Sequence, residues 1–381
     1  MYYFDNNATT QVAPEVLQAM LPFLTDYWGN PSSSYEFGRR VAKCVDDARV
    51  RVAALINADP REIIFTSCGT ESNNSAVHSA LMLHPDKRHV LTTVVEHSAN
   101  MKFGEYLARR GYSVTFLPVG SDGSLDLHLL EKSIQPDTAI VSVMWANNET
   151  GLLFPVEDIA AICRSRGVLF HTDAVQAAGK VKLDVKAMGI DMLSLSAHKL
   201  YAPKGIGLLY VRRPGKFQPY IIGGQQERGR RAGTENVAQI VAFGRAAELA
   251  HASLMDENTR IRALRDKIEN VILSTIPNTS RNGAMEPRLP NTSNIAFDSV
   301  EAEAILIRLD QFGICASSGS ACASGSLEPS HVLKAMGLSP ARARGSVRFS
   351  LGRFSTEAEV DYLLAHLPGV IGKLRALSAE Q

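Results

Sequence analysis

Short apolar runs alternate with longer stretches of helical periodicity from about residue 14 to residue 255. Buried strands that are each followed by a helix are typical of a mostly parallel sheet covered by helices. We therefore predict a large α/β domain over residues 14–255.

The rest of the chain has a different order of elements. A helical pattern without proline, over about residues 237–273, leads out of the first domain. Beyond it the pattern predicts strands and helices in turn, at 293–297, 302–309, 347–351 and from residue 356. We predict a smaller α+β domain formed by residues 1–13 and 256–381.

Polar and ionisable groups follow two apolar runs of the first domain. Asp173 and Gln176 come just after one run, and Ser196, His198 and Lys199 come just after the next. Open α/β sheets bind ligands at the carboxyl ends of their strands. Pyridoxal phosphate needs a lysine amine, a carboxylate for its ring nitrogen and donors for its phosphate. A surface lysine or a capping aspartate would explain either residue alone, but the combination predicts this cofactor.

A third segment predicts a place for the phosphate. Residues 62–65 predict a strand, 66–70 a turn that contains Gly69 and Thr70, and 71–81 a helix. The free N–H groups and the dipole at the start of a helix bind phosphate. The turn lacks the glycine-lysine-serine/threonine ending of a Walker P-loop. This arrangement is common in α/β proteins, so by itself it does not identify the ligand.

His97 and Asn148 also follow apolar runs. A histidine there could stack on a planar cofactor and move protons, since its ordinary pKa lies close to neutrality. A single histidine at a strand end is more often only a hydrogen-bonded structural group. Asn148 could donate to a ring oxygen of the cofactor or to a substrate carboxylate.

Cys322 lies in a stretch, residues 315–326, that is rich in glycine, serine and alanine and poor in bulky side chains. Such a segment predicts a loop without a stiff conformation. A thiolate is a strong nucleophile, and on a loop it can reach a buried site and an external acceptor. Taken alone, the cysteine is equally well explained as an incidental surface residue.

Together these motifs resemble the cysteine desulfurases, pyridoxal-phosphate enzymes of the class V aminotransferase group. The resemblance implies the fold of type I pyridoxal-phosphate transferases. Segment 226–235, with Cys68, Met144 and Trp145, is most similar to the nitrogen-fixation type of these enzymes. The matching segments occur in order along the chain, at 5–10, 66–72, 96–97, 147–151, 172–176, 197–199, 231–234 and 317–322.

The resemblance implies a role for each matching residue toward the cofactor. Lys199 would bind it covalently, Asp173 would face the pyridinium nitrogen, Gln176 the ring hydroxyl, and His97 the face of the ring. Asn148 would contact the ring or the substrate. The phosphate would be held by Gly69, Thr70, Ser196 and His198, and by Thr234 from the neighbouring subunit. A homodimer follows from that last contact.

The resemblance also implies a reaction. Arg348 would bind the substrate carboxylate through its planar fork. Lys199 or His97 would remove the α-proton of L-cysteine, and Cys322 would take the sulfur as a persulfide, leaving alanine. The sulfur would pass to an iron–sulfur scaffold or another acceptor protein, in a pathway related to nitrogenase. Cys322 is the only candidate metal ligand, as a transient iron–sulfur ligand.

Other functions remain open at this point. They are a desulfurase for general iron–sulfur or thio-cofactor assembly, a selenocysteine lyase, and an aminotransferase of the same fold that does not require Cys322. A scaffold or regulatory protein without catalysis is disfavoured, because lysine, aspartate, histidine and cysteine are all present.

Composition narrows the class of protein. A net charge of +1 over 381 residues gives no reason to expect nucleic-acid or membrane binding. No apolar run approaches the length of a membrane span. The five cysteines lack metal-ligand spacing and are an odd number, which suits reduced thiols. We therefore expect a cytoplasmic protein.

Overall fold

The computed structural model describes residues 1–319 and 329–379. The α-helices of this part are α1 Pro14–Met20, α2 Pro22–Thr25, α3 Glu36–Leu55, α4 Gly69–Leu83, α5 Ser98–Arg109, α6 Leu127–Ser133, α7 Val156–Ser165, α8 Val185–Met188, α9 Val237–Ala252, α10 Leu254–Asp256, α11 Arg262–Thr275, α12 Ala302–Asp310, α13 His331–Ala335, α14 Pro340–Arg344 and α15 Glu357–Ala379. The strands are β1 Tyr2–Tyr3, β2 Ile63–Thr66, β3 His89–Thr93, β4 Ser113–Leu117, β5 Thr138–Ser142, β6 Leu169–Asp173, β7 Met192–Ser196, β8 Gly207–Val211, β9 Thr279–Arg281, β10 Thr292–Phe297, β11 Ile314–Cys315 and β12 Ser346–Ser350.

The main sheet has the strand order β2-β8-β7-β6-β5-β3-β4 in the described chain. Strand β8 is antiparallel to both of its neighbours, and the other pairs are parallel. The predicted mostly parallel α/β sheet is therefore confirmed. Strands β6 and β7 pair with Asp173 opposite Ser194, so their carboxyl ends lie side by side.

The central strands of this sheet are buried on both faces. Every residue of β5, β7 and β8 is buried. Alternate side chains point to opposite faces, so Ile140 and Met192 belong to one apolar cluster and Val141 and Leu193 to another. Burial of each such side chain stabilises the fold by about 1.5–3 kcal/mol. This explains why the strands read as continuous apolar runs.

A third apolar cluster contains Phe4 and buried side chains from residues 261–371. It packs under the antiparallel sheet β12-β10-β9, together with α11, α12 and α15. Strand β1 pairs in parallel with β11 beside it. The N-terminal segment thus joins elements that lie about 300 residues later in the chain.

The predicted helical region 237–273 contains an irregularity that the sequence did not indicate. A π-helical segment, Glu257–Ile261, lies between α10 and α11. Short π-helical segments are rare and are frequently found at functional sites. This one places Glu257, 5% exposed, in the protein interior.

Candidate functional site

A cavity of about 600 Å³ lies at the carboxyl ends of β6 and β7. This volume is typical of a small-molecule site. The residues of the predicted site that line it are Gly69, Thr70, His97, Asn148, Asp173, Gln176, Ser196, His198, Lys199 and Arg348. Thr234 is exposed and does not line this cavity within the described chain. Cys322 lies outside the described residues.

Asp173 ends β6 and is 7% exposed. Its Oδ2 accepts a hydrogen bond from Asn73 Nδ2 at 2.6 Å, and its Oδ1 accepts one from the Val175 N–H at 3.0 Å. The carboxylate is therefore fixed in direction. Asn73 was missed in the sequence, although its place four residues after Gly69 puts both on one face of α4.

Lys199 lies at the end of a short 3₁₀ turn that follows β7. Its Nζ donates to the carbonyl oxygens of Asn7 at 2.5 Å and Ala8 at 2.6 Å. Gln176 Nε2 donates to the same Asn7 oxygen at 3.0 Å. The N-terminal segment thus positions the Lys199 amine through backbone carbonyl groups. The pattern of side chains along the sequence does not predict contacts of this kind.

His198 faces the same cavity as a neutral group. Its Nδ1 lies 3.1 Å from Thr9 Oγ1. Burial, and then the positive charge of Lys199, lower the pKa of His198 to about 3. At neutral pH its imidazole therefore acts as a hydrogen-bonding group without charge.

His97 precedes α5, and its Nδ1 accepts a hydrogen bond from the Ala99 N–H at 3.2 Å. In the neutral ring the proton is therefore on Nε2. Its neighbour Glu96 is fully buried and accepts from Thr93 Oγ1, Asn100 Nδ2 and the Met144 N–H. Burial raises the pKa of Glu96 to about 7.

The start of α4 forms one end of the cavity. A Cβ atom added to Gly69 would lie 2.9 Å from Val175 Cγ2, so only glycine fits here without a shift. The residue before the helix, Cys68, makes no side-chain cap. The first N–H groups of the helix are thus left for a ligand, and they favour an anion.

Arg348 lies in β12 and is 1% exposed. Its Nη2 donates to Asp5 Oδ1 at 2.6 Å, and its Nη1 donates to the Asn148 carbonyl at 2.9 Å. Its buried Nε has no hydrogen-bond partner among the described residues. The neighbours Val347 and Phe349 pack into the third apolar cluster, as strand alternation predicted.

Glu149 is a further residue of this cavity that sequence reasoning missed. It is 2% exposed, and its Oε2 accepts a hydrogen bond from Ser330 Oγ at 2.5 Å. A Cβ atom on Gly319 would lie 2.9 Å from the same oxygen. Burial raises the pKa of Glu149, an effect that Ser330, His331 and Arg348 oppose. Glu149 therefore contacts residues on both sides of segment 320–328.

The chain matches the family model "Aminotransferase class-V" over residues 2–363. It is 57% identical over 376 residues to cysteine desulfurase 2 of Trichormus variabilis, covering 99% of this chain and 94% of the relative. It is 53% identical over 377 residues to cysteine desulfurase NifS of Azotobacter vinelandii, with the same coverage. The chain belongs to the cysteine desulfurase family. The predicted family and enzyme class are therefore confirmed.

Solved structures at more than 30% identity have the same fold as this chain. A NifS-like protein superimposes with a TM-score of 0.92 at 37% identity, covering 98% of this chain and 99% of the other. A structure described as SspA in complex with cysteine superimposes with a TM-score of 0.83 at 35% identity, covering 93% of this chain and 100% of the other. The type I fold predicted from the sequence is confirmed.

The cofactor of this desulfurase family is pyridoxal phosphate, and the cavity has the groups to hold it. Asn73 Oδ1, Gln176 Oε1 and Arg348 Nε are buried polar atoms without hydrogen-bond partners in the described chain. An anion site at the start of α4, a fixed carboxylate and a lysine amine line the same space. These features match the phosphate, the ring nitrogen and the aldehyde carbon of the cofactor.

Within residues 1–319 and 329–379, no group of three or more His, Cys, Asp or Glu side chains could hold a metal ion. No helix in this part of the chain is long and apolar enough to cross a membrane.

Proposed function

We propose that this desulfurase converts L-cysteine to L-alanine and transfers the sulfur to Cys322 as a persulfide. The observation that carries the proposal is that Lys199, Asp173 and Arg348 line one cavity. The relatives named cysteine desulfurases support it, as does the neighbour described in complex with cysteine. The role of Cys322 rests on the sequence.

In this proposal the residues after β6 and β7 hold the cofactor. Lys199 Nζ would bind it covalently, Asp173 would pair with its ring nitrogen, and Gln176 Oε1 would accept from its ring hydroxyl. Its phosphate would be held by the start of α4 at Gly69, with Thr70, Ser196 and His198. When bound, the cofactor serves as an electron sink for the α-carbon of the substrate.

Arg348 orients the substrate. Its unpartnered Nε is available to a carboxylate, while Asp5 and the Asn148 carbonyl fix the rest of the guanidinium. A charge-assisted bond of this kind contributes about 1.5–3 kcal/mol. The side chain of Asn148 provides a second polar contact.

Proton and sulfur transfer follow from that orientation. The Lys199 amine, or His97, accepts the α-proton of the substrate. The Cys322 thiolate attacks the substrate sulfur, an S–S bond forms and the C–S bond breaks, and the bonding electrons remain with the carbon skeleton. Protonation of that skeleton gives alanine, and Cys322 keeps the sulfur.

The proposal also covers the oligomeric state, the location in the cell, the domain boundaries and the sulfur acceptor. The chain acts as a homodimer in the cytoplasm, with Thr234 reaching the partner's phosphate site. Its large domain is 14–255, and its small domain is 1–13 with 256–381. The persulfide passes to an acceptor protein for iron–sulfur cluster assembly related to nitrogen fixation, which the 53% identity to NifS supports. Cys322 would be a transient iron–sulfur ligand at most.

The experiment is a single-turnover reaction with ³⁵S-cysteine and the loaded enzyme. We expect one labelled sulfur on the protein for each alanine released, and none on Cys322→Ser. The Cys315→Ser variant is the matched control and should be labelled like the wild type. Full labelling of Cys322→Ser would contradict the role of this thiol. Pyruvate or a new amino acid as the product would indicate different chemistry.

A further inference from the structure

Lys199 also lines a second cavity, much smaller than the first, of about 20 Å³. Lys180 and Glu257 line it as well, and they are only 7% and 5% exposed. The volume is sufficient for about one water molecule. A buried ammonium and a buried carboxyl group thus lie next to the cofactor lysine, and the reaction proposed above uses neither of them.

The fold fixes both groups. Lys180 Nζ donates to the Gln176 carbonyl at 3.1 Å. Glu257 opens the π-helical segment, and its neighbour Asn258 donates from Nδ2 to the Lys180 carbonyl at 2.9 Å. The π-helix is therefore tied to the segment that follows β6. This contact keeps Lys180 and Glu257 at the same cavity.

The two groups act on each other across space. Burial lowers the pKa of Lys180, and the charge of Glu257 opposes this effect. Burial raises the pKa of Glu257 to about 7, and the charge of Lys180 opposes this effect. The two side chains act on each other through their charges and not through a direct hydrogen bond. Glu257 Oε2 has no hydrogen-bond partner in the described chain. Glu257 Oε2 thus remains available to a water in the cavity.

Hydrogen bonds through Gln176 and Asn7 join Lys180 to the cofactor lysine. Gln176 accepts from Lys180 through its carbonyl, while its side chain donates to the Asn7 oxygen that also accepts from Lys199. Burial and then the charge of Lys199 are the main causes of the lowered pKa of His198, the residue next to Lys199, and the positive charge of Lys180 makes a smaller contribution in the same direction. A buried cation close to a lysine favours the neutral form of that lysine.

We propose that Lys180 and Glu257 are positioning residues that set the protonation of the Lys199 nitrogen. Lys180 favours the neutral nitrogen and Glu257 favours the protonated one. The inference rests on the proposed function, in which Lys199 binds the cofactor. It gives the enzyme a way to keep this nitrogen neutral when it must accept a proton.

Other ionisable groups surround this pair, and the test leaves all of them in place. On the side of the cofactor cavity they are Cys68, His97, Lys102, Glu149, Asp173, His198, His331 and Arg348. On the other side they are Tyr201, Lys204, Asp256, Arg260 and Arg353. A difference between variants of Lys180 and Glu257 therefore reports only on these two groups.

The test is a pH titration of the visible absorption band of the enzyme-bound cofactor, without substrate. Lys180→Met should raise the midpoint by about one pH unit, because it removes a buried positive charge. Glu257→Gln should lower the midpoint by roughly half a unit, because Lys180 then lacks its counter-charge. The double variant, which loses one charge of each sign, should return close to the wild-type midpoint.

Lys182→Met is the matched control, since Lys182 is exposed and water screens its charge. Its midpoint should stay at the wild-type value. Shifts of the same sign in Lys180→Met and Glu257→Gln, or no shift in either, would overturn the inference. If Lys180→Met does not fold, the effect of Lys180 is measured as the difference in midpoint between Glu257→Gln and the double variant. The midpoint of the double variant should be the higher of the two. A colourless wild-type enzyme after reconstitution would instead refute the cofactor role of Lys199.

Discussion

The cofactor cavity has two walls that are built in different ways. The strand-end wall, defined as Asp173, Ser196, His198 and Lys199, consists of residues that end β6 and β7 or directly follow β7. The cross-chain wall is defined as Glu149 and Arg348, which line the cavity, together with Ser330 and Asp5, which hold them by contacts between distant segments. Asp5 and Arg348 are 343 residues apart, and Glu149 and Ser330 are 181 apart.

We relate this difference in construction to two functions, cofactor binding by one wall and substrate binding by the other. The strand-end wall is part of a buried sheet, so its side chains are held rigidly where a cofactor must stay. The cross-chain wall is held by a few polar contacts between segments, and it is the wall that meets the substrate in our proposal. Substitutions in the first wall should therefore affect cofactor binding, and substitutions in the second should affect substrate binding and sulfur transfer.

The largest effect is expected from Lys199→Ala in the strand-end wall. It removes both the covalent attachment and the proposed base, so turnover should fall by roughly 1000-fold or more. The measurement is alanine release together with the visible spectrum of the reconstituted protein. Lys204→Ala, which alters an exposed lysine nearby, should keep both. A fully active Lys199→Ala variant would contradict the assignment of cofactor binding to the strand-end wall.

Arg348→Lys in the cross-chain wall should raise the KM for cysteine by about 10–100-fold and change kcat less. Lysine cannot supply the planar fork, and one charge-assisted bond corresponds to about 1.5–3 kcal/mol. Steady-state kinetics separate the two constants. Arg344→Lys, at an exposed arginine that pairs with Glu301, is the control. Loss of the cofactor from Arg348→Lys, with KM unchanged, would mean that the two walls do not divide the tasks.

Glu149→Gln should slow sulfur transfer by about tenfold and leave cofactor binding unchanged. Glutamine still accepts from Ser330, but it loses the attraction to Arg348 and His331. Single-turnover labelling of the protein with ³⁵S-cysteine measures this step, and the cofactor spectrum measures binding. Glu301→Gln, at an exposed position, serves as control. A weaker cofactor absorption band with normal labelling would show that Glu149 contributes to cofactor binding and not to sulfur transfer.

The smallest effect concerns stability, through Glu96 near the strand-end wall. Its pKa is raised from 4.5 to about 7, so the folded state binds more protons than the unfolded state between these values. The contribution of Glu96 is therefore fully present below about pH 4.5 and is lost as the pH rises toward 7.

In Glu96→Gln this loss should disappear, so the free energy of unfolding should depend less on pH than in the wild type. Glutamine can be accommodated, because Asn100 can turn its unpartnered Oδ1 toward the new amide. Urea unfolding at pH 5 and pH 7.5, within the range where the protein is folded, measures the difference. Parallel pH profiles for the two proteins would show that Glu96 is charged in both states.

Much of the strand-end wall could be predicted from the sequence. Asp173 and Lys199 each stand next to an apolar run, and parallel strands bring their carboxyl ends to one edge. Gly69 could be predicted because a glycine turn before a helix has a local signature. Asn73 was open to the same reasoning through helical spacing, but its pairing with Asp173 required the packed position of α4.

What the sequence by itself determined was the class of fold, the cofactor and the residues placed locally by a strand end or a helix start. These depend on periodicity and on the order of residues along one element. Only the tertiary structure decided the partners of Arg348, the position of Glu149 between Gly319 and Ser330, and the burial of Glu257 with Lys180. Those contacts join segments far apart in the chain, and their charges matter because folding removes the water around them.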